Sequence, residues 1–167
     1  FLKIVKKLSS YSNKVVFIVV GSIHNSQKDY YEHLLEDISR QGITNFFFLG
    51  SRTDVRSLLK AMDIYVCSSK YESSPLSLLE AMAMKKAIVS TDVGDVKNFI
   101  NHGVDGFIVE NNDEDALANY LKKLIDDPKL RHNLGESARK VVKDKFDLKI
   151  CVRSHLDMYQ KIVNDYK

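Results

Sequence analysis

Short apolar runs that are continuous rather than alternating limit this chain to a small set of folds. Val15-Val16-Phe17-Ile18-Val19-Val20 closes on Gly21, and Phe46-Phe47-Phe48-Leu49 closes on Gly50. Ile64-Tyr65-Val66-Cys67, Ala87-Ile88-Val89-Ser90 and Gly106-Phe107-Ile108-Val109 repeat the pattern. A strand that is apolar on both faces must be covered on both, which is the condition of a parallel sheet. Helical patterns near residues 29–41, 53–62, 75–85 and 94–101 lie between the runs. This alternation predicts βαβ units with right-handed crossovers and helices on both faces of the sheet.

Both ends of the chain differ from the middle. Residues 1–8 read as a helix that enters the first strand, whereas a doubly wound domain normally opens on a strand. A leading strand is therefore expected to be missing, through truncation or disorder. From about Asp113 onward only helices read well. Asn112 or Asp113 caps one that carries Ala116, Leu117, Tyr120, Leu121 and Leu124. Asp127-Pro128 opens the next, with Pro128 at its first position and Leu130, Leu134, Ala138, Val141 and Val142 on one face. A last helix from about Leu148 carries Ile150, Cys151, Leu156, Met158, Tyr159 and Ile162. These stripes read as core contacts.

Bulk properties exclude several classes. The length of 167 residues suits one domain. A net charge of +3, with Lys and Arg spread along the chain, is not a nucleic-acid footprint. Lys3, Lys6 and Lys7 read as a solvated helix face. Cys67 and Cys151 are too few for a disulfide framework, and Cys67 sits in an apolar strand as a buried hydrophobe would. No stretch is long and apolar enough to span a bilayer and no secretory signal is visible, so a reducing cytoplasm is the default compartment. The histidines share no metal-ligand spacing. His102, in the turn 101–106, reads as a turn residue.

Ligands of open α/β sheets bind beyond the carboxyl ends of the strands. The segment Ser68–Ser74 follows the run 64–67 and lies at that end. Ser74 is expected as the N-cap and Pro75 as the first helical residue. The N–H groups of Leu76 and Ser77 then have no intrahelical partner and suit a phosphate or diphosphate. Ser73, Ser74 and Ser77 add hydroxyls. Glu72 stands before this helix and Glu80 nearly two turns inside it, at ~3.6 residues per turn. Carboxylates accept paired hydrogen bonds from vicinal hydroxyls, as on a ribose or hexose. Spacing alone fits a solvated loop acid and a surface helix acid equally well. The apolar neighbours Leu78, Leu79, Ala81 and Met82 favour a functional Glu80. The segment thus reads as a site for an anionic, hydroxyl-rich ligand such as a sugar nucleotide.

The run Tyr71-Glu72-Ser73-Ser74-Pro75-Leu76-Ser77-Leu78-Leu79-Glu80-Ala81-Met82-Ala83 resembles the acid-x7-acid motif of retaining, GT-B fold glycosyltransferases of the glycosyl transferases group 1 family (family 4). The resemblance extends through Phe48-Leu49-Gly50, residues 61–66, 89–94 and 102–109, and the Asp127-Pro128 helix. It implies a Rossmann-like, doubly wound parallel sheet with a helical C-terminal tail. It also implies that residues 1–167 form the C-terminal donor-nucleotide domain of a two-domain enzyme whose N-terminal acceptor domain is absent. By resemblance, Glu72 is the acid near the donor sugar and the reacting centre, and Glu80 binds the ribose hydroxyls. Ser73, Ser74, Pro75, Leu76 and Ser77 match the turn that holds the diphosphate. Gly21 closes a strand beside the donor cleft, and Ser51 and Arg52 fall where the nucleobase sits. For Arg52 an exposed helix-start charge is an equal reading.

The resemblance implies hexosyl transfer from a nucleotide-diphosphate sugar to an acceptor hydroxyl, in polysaccharide or glycolipid synthesis. No cofactor or metal is implied. The implied partners are the nucleotide sugar and, through the absent domain, a saccharide or lipid-linked saccharide acceptor. A cytoplasmic location is implied, with peripheral association at the inner face of the membrane for the intact enzyme. The chain alone is expected to be inactive and, with its last helix unpartnered near Leu156 and Tyr159, to self-associate. The chain departs from the family at Ser74 (commonly an aromatic), Lys85 (glycine), Ala87 (proline), Asp95 (glycine) and Asn98 (Glu). The Arg and Lys that neutralise the diphosphate would precede Phe1. Two other readings are a GT-B sugar-nucleotide epimerase, which would need acids and histidines from the opening halves of both domains, and a non-catalytic Rossmann-like docking module, which would bind no donor.

Overall fold

The continuous apolar runs form parallel ladders in the computed structural model, which describes residues 1–166. β1 (Phe17–Val19) pairs with β2 (Phe46–Phe48), Phe17 opposite Phe46. β3 (Ile64–Cys67), β4 (Ala87–Thr91) and β5 (Phe107–Val109) form a second ladder in the order β3–β4–β5. Every pairing in it is parallel, with Ile64 opposite Ala87 and Val89 opposite Phe107. The helices are α1 (Leu2–Lys7), α2 (Lys28–Arg40), α3 (Val55–Ala61), α4 (Leu76–Ala83), α5 (Val96–Phe99), α6 (Glu114–Asp126), α7 (Pro128–Lys145) and α8 (Leu148–Asp165). The fold class is the expected one, a parallel α/β sheet with a helical C-terminal tail. The difference is that hydrogen bonding falls into two ladders. The edge of β1 away from β2 has no partner strand among the described residues, nor has the edge of β3 away from β4. A strand preceding α1 in a right-handed crossover would lie on that edge of β1.

Strand alternation sorts the core into two layers. Phe17, Ala87, Val89, Phe107 and Val109 point to one side and pack with Ile4, Val5 and Leu8 of the first helical turns and Leu117, Leu121 and Leu124 of α6. Cys67 and Ile88 point to the other and pack with Leu78, Ala81 and Met82 of α4, Val96 and Phe99 of α5 and Ala138 of α7. β4, central in its ladder, is buried along its whole length. The second side of β1–β2 is thinly covered, leaving Val16 65% and Phe47 47% exposed.

Aspartate side chains cap the starts of α6, α7 and α8. Asp113 accepts a hydrogen bond from the Ala116 N–H at 2.8 Å, and Asp127 from the Leu130 N–H at 2.8 Å with Pro128 at the first helical position. The solvated face expected at Lys3, Lys6 and Lys7 is corrected in part. Lys3 pairs with Glu114 at 3.0 Å and Lys7 with Asp115 at 2.6 Å, tying α1 to the first turn of α6. α5 is shorter than its pattern predicted: Gly94 adopts a left-handed φ of 51° ahead of it, and Ile100 turns to extended backbone (φ −117°, ψ 130°) after it. α8 forms where predicted, but its stripe is not the core contact expected, since it buries no residue.

Candidate functional site

β3 ends at Cys67, and the chain then runs as an irregular loop to the start of α4. One expectation is corrected here. Pro75 is the N-cap and the helix begins at Leu76, so Ser74 does not cap it and Pro75 is not its first residue. Pro75 has extended backbone (φ −72°, ψ 93°), and its carbonyl accepts the first helical hydrogen bond, from the Leu78 N–H at 3.0 Å. The N–H groups of Leu76 and Ser77 make no hydrogen bond among the described residues. They form the positive end of the helix dipole, beside the exposed side chains of Leu76 and Ser77.

The two acids flank this end. The Ser69 hydroxyl donates to Glu72 Oε1 at 2.8 Å, which orients one carboxylate oxygen and leaves the other open. Glu80 is exposed because its neighbours Leu78, Ala81 and Met82 take the buried face of α4. Its carboxylate has no hydrogen-bond or ion-pair partner among the described residues. Ser73 is exposed and Ser74 half-buried in the same loop.

Tyr65 also belongs to the site and was missed as a strand residue. Its hydroxyl shares a 2.7 Å hydrogen bond with Ser77 Oγ. Burial pushes the Tyr65 phenol above its ordinary pKa, against the bond to Ser77, with Cys67, Glu72 and Glu80 adding to the rise. A tyrosine inside a buried parallel strand needs a partner for its hydroxyl, but the sequence does not single out Ser77, because Ser68, Ser69, Ser73 and Ser74 lie nearer along the chain.

Gly21, Ser51 and Arg52 lie at the ends of the other ladder. The Gly21 N–H donates to the Gly50 carbonyl at 2.9 Å, which joins the chain beyond β1 to that beyond β2. Arg52 grips Asp54 with two bonds of 2.8 Å, from Nε and Nη2. That pairing holds the Asp54 carboxyl below its usual range and raises the Arg52 guanidinium. Arg52 is thus an exposed charge, paired locally beside the start of α3. His102 is held in its turn: Nδ1 accepts from the Ile108 N–H at 3.1 Å and Nε2 lies 3.1 Å from the Tyr120 hydroxyl. A cleft of ≈ 520 Å3 between Val5, Leu8, Ile43 and Asn45 opens at the amino end of β2. It lies away from the carboxyl strand ends and holds no carboxylate.

The family model for glycosyl transferases group 1 matches residues 1–141. The N-acetyl-alpha-D-glucosaminyl L-malate synthase of Bacillus anthracis is 34% identical over 120 residues, 72% of this chain and 32% of that protein. The chain thus spans about a third of the length of that curated relative. The structure of Anabaena HepE in complex with UDP superposes with a TM-score of 0.85 at 26% identity, covering 88% of this chain and 41% of that one. The C-terminal domain of a glycosyl transferase group 1 family protein (LpcC) from Francisella tularensis does so with a TM-score of 0.79 at 29% identity, covering 87% of this chain and 75% of that one. The match runs through every strand and through the helix that carries Glu80, and on it the chain belongs to the glycosyl transferases group 1 family, with the fold of a GT-B C-terminal domain.

Proposed function

We propose that this chain is the donor half of a retaining glycosyltransferase that moves a hexosyl unit from a nucleotide-diphosphate sugar to the hydroxyl of a saccharide or lipid-linked saccharide. One observation carries the reading: two exposed carboxylates, Glu72 and Glu80, flank a helix start whose Leu76 and Ser77 N–H groups are free. The N–H groups and the Ser73, Ser74 and Ser77 hydroxyls suit the diphosphate. Glu80 faces the ribose hydroxyls, and Glu72 faces the sugar, where charge develops as the glycosidic bond breaks. Gly21, Ser51 and Arg52 border the nucleobase. The diphosphate is neutralised by the helix end and basic residues rather than by a metal, and the site needs no cofactor. The intact enzyme would work on the cytoplasmic side, at the inner face of the membrane when its acceptor is lipid-linked. The similarity to HepE, solved with UDP, supports a nucleotide ligand.

Thermal-shift titration of the protein with UDP, GDP and ADP sugars tests the reading. At least one is expected to raise Tm, and Glu80→Ala is expected to weaken its binding by about tenfold or more, the loss of one charge-assisted pair of hydrogen bonds. No shift with any nucleotide sugar, or an unchanged shift in Glu80→Ala, would contradict it.

A further inference from the structure

The loop that carries Glu72 makes no backbone ladder of its own, yet three of its carbonyls are held by the end of β4 and by the loops that follow β4 and β5. Thr91, buried at the end of β4, donates its hydroxyl to the Ser69 carbonyl at 2.7 Å. Asn111, beyond β5, donates from Nδ2 to the Lys70 carbonyl at 2.8 Å. The Asp95 N–H donates to the Ser73 carbonyl at 3.0 Å. Gly94 sits against the same peptide. A Cβ there would overlap the Ser73 carbonyl oxygen and lie 2.6 Å from the Glu72 carbonyl oxygen, in a φ of 51° that side chains rarely adopt. Bonds from separate elements to Ser69, Lys70 and Ser73 bracket Glu72 on both sides.

We infer that Asn111 and Gly94, with Thr91, are positioning residues that clamp the acid loop, so that Glu72 meets a ligand already placed rather than being ordered by it. An acid set before binding does not spend ligand affinity on loop ordering. The consequence for donor binding rests on the function proposed above; the clamp itself does not.

Trypsin separates the two. Lys70 and Tyr71 are exposed side chains in the middle of the loop, but a protease must draw out an extended segment to cut between them. Cleavage after Lys70 is therefore expected to be slow in the wild type. Asn111→Ala is expected to speed it about two- to tenfold, the factor that one net hydrogen bond controls, with Tm lowered by no more than about 2–4 °C and cleavage at Lys145 unchanged. Gly94→Ala is expected to speed it further. Unchanged cleavage at Lys70 in both variants, or equal acceleration at every site, would overturn the clamp. In a second arm, Asn111→Ala should weaken whichever UDP, GDP or ADP sugar binds the wild type, while leaving the matching free nucleotide diphosphate unchanged, because Glu72 faces the sugar. Equal loss for both ligands would assign Asn111 a general structural role and overturn the inference. Failure of every nucleotide sugar to bind the wild type would defeat the donor reading, with the Lys70 result still deciding the clamp.

Discussion

At the scale of residues, Lys85 shows how a departure from a family pattern can be absorbed. The family commonly has glycine there, and Lys85 adopts the left-handed φ of 60° that glycine adopts readily. Its carbonyl packs against Gly135 of α7, where any Cβ would overlap it, and its ammonium pairs with Glu136 at 2.8 Å. Gly135→Ala is expected to destabilise by about 2 kcal/mol or more, since the clash is with backbone. Chemical denaturation measures it, and a loss under about 0.5 kcal/mol would show that the α4–α7 junction relaxes. Lys85 lowers the Glu136 carboxyl, chiefly by its hydrogen bond. A lowered carboxyl stabilises the fold above its unfolded value, and that contribution is lost as pH falls through the folded value. The Tm gap between wild type and Glu136→Gln should therefore close on acidification below the ordinary carboxylate range. A gap that widens there would contradict the assignment. Glycine at 135 was legible as a residue but not as a contact, because its partner lies in a turn that adopts a glycine conformation without glycine.

At the scale of elements, legibility followed periodicity. β3 ran from Ile64 to Cys67 as read, because its apolar run is short and bounded by Asp63 and Ser68. β1 shrank to Phe17–Val19 because Val16 and Val20 are apolar without being paired. The caps at Asp113 and Asp127 were readable because aspartate before a helical stripe has one dominant local use. Asp127→Ala is expected to cost about 1 kcal/mol by denaturation, with no effect expected on nucleotide binding. The start of α4 was misplaced by one residue, since proline serves at either the cap or the first turn and sequence does not separate the two. The acids Glu72 and Glu80 were legible through their spacing. Tyr65, Thr91 and Asn111 were not, because their roles depend on which loops the parallel order brings together.

At the scale of the whole molecule, the chain presents apolar surface at two places that the sequence read as core. One is the side of β1–β2 that carries Val16 and Phe47, and the other is α8, where Leu156 is 60% exposed. Truncation before Leu148 is expected to leave Tm nearly unchanged, because α8 buries no residue, and to reduce self-association in sedimentation velocity. A large fall in Tm, or a wild type that is monomeric at high concentration, would contradict that.

The central claim is that the start of α4 receives a nucleotide-diphosphate sugar between Glu72 and Glu80. The backbone amides of Leu76 and Ser77 report on it most directly, because they are the free donors at that point. In a 15N-resolved NMR titration with the nucleotide sugar that raises Tm, these two amides are expected to shift most, together with the loop residues 72–74. The largest shifts around the cleft at Val5, Ile43 and Asn45, with Leu76 and Ser77 unmoved, would contradict it.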